Sequence, residues 1–253
     1  MIELSLRGKT ALVTGGSRGV GRATALMLAR AGAQVAVSYY NRHDDANALV
    51  AELEKEGVQA WAHAGDISQA AVADDLTARV VDEFGGLDIF VGNAGIWIPG
   101  HAPIATMSDE QWHRTLQVNL DSIFYTTRAA ARVMKDNGRI VLVSSTAGQR
   151  GEAGHVDYAA TKGAMIAMVK GLAIELAPSQ ITVNAVAPGW IDTEMTIAPY
   201  AGEGRARIEA NIPIGRVASA EDIAGPIVFL CTELARHITG EILNVNGGSV
   251  LCG

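Results

Sequence analysis

Tyr158 and Lys162 are the residues of this sequence best spaced to move a proton. They stand in Tyr158-Ala159-Ala160-Thr161-Lys162, and residues at i and i+4 share one face of a helix. A phenol titrates at about 10, and a nearby ammonium favours the phenolate and draws that value down. The pair would then serve as acid and base closer to neutrality. Ser145 follows an apolar run over 139–143, where its hydroxyl could hold a substrate oxygen beside the phenol. Taken singly, none of these residues carries a function. Tyr-x-x-x-Lys is common on helices, a serine at a strand end is commonly a cap or turn residue, and Asn119 reads alone as a polar helix residue.

Reducing a carbonyl also needs a hydride, which no side chain supplies, so such chemistry requires a bound cofactor. The candidate cradle is Thr14-Gly15-Gly16-Ser17-Arg18-Gly19-Val20-Gly21. It lies between a β-rich run at 10–13 and a helical pattern at 21–31. Glycines let the backbone turn tightly and approach a phosphate, and the helix N-terminus adds N–H donors with positive partial charge. A tight turn without a ligand is the alternative, and its weight drops because the loop opens a strand–helix series. The loop has no Gly-Lys-Ser/Thr ending, which argues against a P-loop NTPase.

The elements that must position these residues follow from pattern. β-rich runs occur at 10–13, 34–38, 59–64, 88–91, 139–143, 182–186 and 242–245. Most are continuously apolar, as in parallel strands covered on both faces. Helical spacing occupies 21–31, 44–56, 68–84, about 109–136, 157–177 and about 219–235, with Ser68 and Ser108 as expected N-caps. The alternation predicts the α/β class: a three-layer doubly wound Rossmann fold with a seven-stranded parallel sheet and right-handed crossovers. It never breaks, which predicts a single domain over 1–253. The weakly periodic stretch at about 190–215 is expected to be a substrate loop.

Composition narrows the function classes. Acidic residues outnumber basic ones 27 to 20, for a net charge of −7. The basic residues are scattered, so nucleic acid is not an expected partner. Cys231 and Cys252 form no ligand cluster, so no metal is expected, and reduced thiols suit the cytoplasm. No apolar run approaches the ~20 residues of a membrane span, and the first eight residues lack the apolar core of a signal peptide. A soluble cytoplasmic protein is expected.

The glycines at 15, 19 and 21 depart from GxGxxG and follow TGxxxGxG. With Asn93-Ala94-Gly95, Asn119, Ser145, Tyr158, Lys162 and Pro188-Gly189 in the same order, the chain resembles the short-chain dehydrogenase/reductase family over 6–249. The resemblance implies an oxidoreductase that interconverts a carbonyl and a secondary alcohol, with Asn119, Ser145, Tyr158 and Lys162 as catalytic residues. Asn119 would anchor a water leading to Lys162. It implies cofactor contacts from Gly15, Ser17, Arg18, Gly19, Val20 and Gly21, and from Asn93, Ala94 and Gly95 along the cleft. Asp66 would meet the adenine with Ile67 beside it, Asp66 doubling as a helix cap. Pro188, Gly189, Ile191 and Thr193 would lie at the nicotinamide, where Tyr158 and Lys162 also reach. Arg150, Glu152 and His155 precede Tyr158 and are read equally well as substrate contacts or as ordinary loop residues, so they stay outside the expected site.

An acid roughly 20 residues past the glycines usually bonds the ribose 2′-OH of NAD. Here Tyr39 takes that place, and Arg18 and Arg42 could pair with a 2′-phosphate unless they are simply solvated. NADP(H) is therefore expected over NAD(H). The segments 188–193 and 238–248 look most like the 3-oxoacyl-[acyl-carrier-protein] reductase branch. That branch docks its acidic carrier on basic residues at the ends of two long helices. Here Lys135 stands alone, and Ser179 replaces an expected arginine. This weighs against a carrier-protein substrate and puts a small ketone, sugar or alcohol on an equal footing. The enoyl-reductase branch spaces its tyrosine and lysine more widely. A non-catalytic NADP-binding sensor on the same fold is the other class, and the intact four-residue set argues against it. The family also implies a homotetramer.

Overall fold

The computed structural model describes residues 4–251; Cys252 and the first three residues of the N-terminal reading lie outside them. The strands are β1 Thr10–Val13, β2 Gln34–Tyr39, β3 Ala60–Ala64, β4 Leu87–Gly92, β5 Met134–Val143, β6 Thr182–Pro188 and β7 Ile242–Val245. The helices are α1 Gly19–Arg30, α2 His43–Lys55, α3 Ala70–Phe84, α4 Asp109–Leu116, α5 Ser122–Val133, α6 Thr146–Arg150, α7 Val156–Glu175, α8 Gly204–Glu209 and α9 Ala220–Leu230.

The strands form one parallel sheet in the order β3-β2-β1-β4-β5-β6-β7. The chain winds outward from β1 to β3, then crosses back to place β4 on the other side of β1. At such a switch point the loops leave the strand ends in opposite directions and open a crevice. Successive side chains of a strand point to opposite faces, and here both faces are covered. Leu12, Phe90 and Leu142 pack with Leu76, Ile123 and Met165 on one side. Val13, Val91 and Val141 pack with Leu28, Leu49 and Ile227 on the other. This double burial is why the strands read as continuous apolar runs.

Three local expectations are corrected. The long helix expected over 109–136 is interrupted: α4 ends at Leu116, Gln117–Asp121 forms a wide π-helical turn around Asn119, and α5 ends at Val133. Met134 is already extended and pairs beside Leu87, and Lys135 turns toward the carboxylate of Asp88 at 3.4 Å. Long-range pairing therefore overrides helical spacing there. Ser68 is not an N-cap. Its N–H and hydroxyl both donate to Asp66 Oδ1, at 3.1 and 2.6 Å, and α3 begins after Gln69. Asp66 accordingly closes a turn instead of capping the helix. Ser108 does cap, accepting from the Gln111 N–H.

Candidate active site

The C-terminal ends of the central strands open into a cavity of about 520 Å³. Its floor is the glycine loop. Gly15 and Gly19 adopt φ of 64° and 53°, conformations that side chains disfavour. A Cβ on Gly21 would collide with the Gly15 carbonyl oxygen, so the third glycine lets α1 close on the loop. Arg18 precedes α1 in extended conformation without a side-chain cap, and the first turn holds no acid. The first-turn N–H groups are thus left for an anion. Asn93 ties this floor to β4: its Nδ2 donates to the Thr14 and Gly15 carbonyls at 2.9 and 3.2 Å. Thr14 Oγ1 in turn accepts from the Asn93 and Ala94 N–H groups.

At one end of the cavity Arg18 and Arg42 converge on the carboxylate of Glu194. Tyr39 lies beside them, its hydroxyl 2.9 Å from His43 Nδ1. Ser17, Val20, Asp66, Ile67 and Gly95 line the walls, and Pro188, Gly189, Ile191 and Thr193 line the side formed by the end of β6. Thr193 faces the loop, its methyl 3.5 Å from where a Gly19 Cβ would be. Cleft, glycine cradle and paired arginines offer the donors that a phosphorylated dinucleotide would need.

Toward the other end stand Ser145, Tyr158 and Lys162. α6 and α7 approach so closely that a Cβ on Gly148 would lie 2.5 Å from the Lys162 carbonyl carbon. Ser144 donates its hydroxyl to the Lys162 carbonyl at 2.8 Å, and Lys162 Nζ donates to the Val143 carbonyl at 2.7 Å. These bonds pin α7 across the end of β5. Ser145 Oγ accepts from the Ala147 N–H at 3.1 Å, so it does cap α6 while also lining the cleft. Asn119, fully buried, bonds the Ile96 backbone in both directions, donating to its carbonyl at 2.8 Å and accepting from its N–H at 2.7 Å.

The expected activation of Tyr158 by Lys162 is not the dominant effect. Burial pushes the phenol up to about 12, against a lowering from Ser145 as hydrogen-bond partner, and the charge of Glu152 adds to the rise. Burial also draws Lys162 down to about 8. The ammonium lies 5.7 Å from the centre of the tyrosine ring and spends its hydrogen bond on Val143. Desolvation of a charged form outweighs a cation at that distance.

Sequence reasoning missed a group beyond Tyr158. Trp97, Trp190 and Met195 line the cavity together with Arg150 and Glu152, two residues that the sequence expectation does not include in the site. Glu194 was also missed. Trp97 directly after Asn93-Ala94-Gly95-Ile96, and Trp190 after Pro188-Gly189, were the available signals: large aromatics one or two residues past cleft-lining glycines.

A family profile described as Enoyl-(Acyl carrier protein) reductase matches residues 15–249. The 3-oxoacyl-[acyl-carrier-protein] reductase FabG of Escherichia coli (strain K12) is 40% identical over 247 residues, 97% of this chain and 98% of that protein. A short-chain dehydrogenase from Burkholderia cenocepacia J2315, solved in complex with NADP, superposes with a TM-score of 0.91 at 38% identity, covering 96% of this chain and 98% of that one. A short-chain glucose/ribitol dehydrogenase from Brucella melitensis gives a TM-score of 0.93 at 35% identity, covering 99% and 100%. The reservation about a carrier-protein substrate, drawn from Ser179 and the lone Lys135, finds no support in relatives so named. Matched along nearly its whole length by sequence and by fold, the chain belongs to the short-chain dehydrogenase/reductase family.

Proposed function

We propose that this oxidoreductase reduces a ketone to a secondary alcohol with NADPH and catalyses the reverse with NADP. One observation carries the reading: a single cavity joins the arginine pair Arg18 and Arg42 at one end to Ser145 and Tyr158 at the other. NADPH binding is supported by that arginine pair, by Tyr39 where an acid would repel a phosphate, and by the NADP-bound neighbour.

The cofactor supplies the hydride to the carbonyl carbon. The protein's part is the oxygen. Ser145 donates a hydrogen bond to it and holds it against Tyr158, whose O–H delivers the proton. Burial holds the phenol up, so its oxygen carries the proton when the carbonyl arrives. Lys162 steadies the phenolate left behind. Asn119 fixes the Ile96 backbone beside the nicotinamide end, and Asn93, Ala94 and Gly95 form the adjoining wall. The glycine loop and first turn of α1 hold the pyrophosphate, Asp66 and Ile67 the adenine, and Thr193 the carboxamide.

The whole chain acts as one domain, with about 190–215 as its substrate loop. A cytoplasmic homotetramer is the assembly we assign. Among the described residues no helix is long and apolar enough to cross a membrane. A second reading, reduction of a 3-oxoacyl thioester, is favoured by the 40% identity to carrier-protein reductases. The test is NADPH oxidation followed by absorbance with simple ketones, sugars and acetoacetyl thioesters. Turnover with at least one class is expected; NADPH binding without turnover of any would overturn the assignment.

A further inference from the structure

Two indoles, Trp97 and Trp190, line the same cleft as Tyr158. Trp97 stacks on the buried ring of His155, with centroids 4.4 Å apart, and meets Trp190 edge-on at 6.3 Å. Both indoles are braced from behind, since Trp190 also leans on Tyr200. The carboxylate of Glu152, only 23% exposed, lines the same cavity as this aromatic wall and Tyr158. Its charge adds to the upward push on the Tyr158 phenol. Burial pushes Glu152 up, while His155, Arg150 and the Trp97 N–H hold it down. His155 Nδ1 is 3.7 Å away, too far for a hydrogen bond. A carboxylate accepts about four hydrogen bonds, so Glu152 has acceptor capacity to spare.

Resting on the carbonyl-reductase reading, we propose that Glu152 is a specificity residue that accepts a hydrogen bond from a hydroxyl neighbouring the reacting carbon, so that the substrate is a hydroxylated ketone or polyol. The indoles would cover the C–H face of such a molecule while the carboxylate takes its O–H. In a 3-oxoacyl thioester the carbons flanking the reacting one carry no hydroxyl, and the nearby thioester carbonyl is itself an acceptor that a carboxylate repels. A keto acid would bring a second negative charge. Arg150 beside Glu152 offsets its charge and favours a neutral donor over an ammonium. Glu152 accepts the substrate's hydrogen bond throughout and takes no part in the proton or hydride transfer.

Three substrates and two variants test this: 3-hydroxy-2-butanone, 2-butanone and an acetoacetyl thioester, with Glu152→Gln and Glu152→Leu. Wild-type kcat/KM should favour the hydroxyketone over 2-butanone by at least about tenfold, because a site built to bond a hydroxyl rejects the analogue lacking it. Glu152→Leu should erase that ratio by raising KM for the hydroxyketone. Glu152→Gln should keep part of it, since the amide oxygen still accepts. Fluorescence titration with NADPH checks that each variant retains a formed cofactor site. Equal kcat/KM for the two ketones in the wild type, or equal losses for both in Glu152→Leu, would overturn the inference. If the thioester is reduced while the ketone pair is not distinguished, the inference falls and carbonyl reduction stands. If NADPH binds and none of the three is turned over, the underlying reading falls with it.

Discussion

Arg18 and Arg42 hold guanidinium nitrogens 2.5 and 2.8 Å from the same oxygen, Oε2 of Glu194. Far apart in the sequence, they are brought to a single point by the turn of the glycine loop and the end of β2. Two guanidiniums that share one carboxylate oxygen are also placed to share a phosphate. Arg42→Ala should therefore lower kcat/KM for NADPH by about ten- to a hundredfold, the worth of a charge-assisted bond, with little effect on NADH. Glu194→Gln should move the other way and lower KM for NADPH, because the phosphate no longer competes with an anion. Steady-state kinetics with both cofactors reads each effect; unchanged cofactor preference in both variants would contradict the assignment.

Tyr158→Phe removes one oxygen from the cleft and nothing from the cofactor end. NADPH binding should persist, while kcat falls by about 10²–10⁴, the usual loss for a positioned acid. Normal turnover in this variant would refute the proton-donor role.

Lys162 sets the alkaline behaviour. Burial holds it near 8, against an ordinary 10.5. Carbonyl reduction should be flat below about pH 8 and decline above it as the ammonium is lost, with Tyr158 still protonated. Stability carries the opposite sign. Between about 8 and 10.5 the unfolded chain keeps a proton that the folded chain has released, so stability gains with rising pH from this residue. Lys162→Met should flatten both the decline in rate and this gain, measured by pH–rate profiles and by urea unfolding across that range.

Gly148 spaces α6 from α7. Alanine there would put a Cβ 2.5 Å from the Lys162 carbonyl carbon and 2.7 Å from the Gly163 nitrogen, both backbone atoms that yield only if a helix moves. The expected cost is about 1–3 kcal/mol, typical of overpacking, together with a lower kcat as Ser145 is displaced from Tyr158. Thermal unfolding and kinetics should change together; a loss of stability with kcat intact would show that the spacing is structural alone.

Asp88 is a stability residue far from the chemistry. Burial raises its pKa, but Lys9 and the Thr10 side chain and N–H outweigh that and leave it lowered. Asp88→Ala strands the Thr10 N–H, while the Thr10 hydroxyl keeps the Gly86 carbonyl and both lysines still reach water, for an expected loss of about 1–3 kcal/mol. Because the folded pKa is depressed, the contribution is complete above the unfolded value near 3.8 and is lost as pH falls through the folded one. Wild type and variant should therefore converge in stability in strong acid, as followed by circular dichroism.

Strand positions were readable because burial on both faces leaves a local trace. Runs such as Thr10–Val13 and Ile242–Val245 match the observed strands end to end. The glycine loop was readable because its backbone needs glycine whatever surrounds it. β5 was readable only from Arg139 onward. Residues 134–138 look helical or loop-like, and become strand because Leu87 and Asp88 lie alongside.

Residue order alone settled the parallel α/β fold, the glycine cradle and the spacing of Ser145, Tyr158 and Lys162, since each depends on local periodicity or on the i, i+4 geometry of one helix. Spatial convergence was decided elsewhere. No sequence spacing predicts that Glu194 meets Arg18 and Arg42, or that Glu152 lines one cavity with Trp97 and Tyr158. The charge on Tyr158 is likewise a tertiary matter. A lysine one turn away suggests a lowered pKa, but the fold half-buries the phenol, buries Lys162 and directs the ammonium to Val143. Desolvation depends on everything packed around a group, and that becomes defined only when the chain has closed on itself.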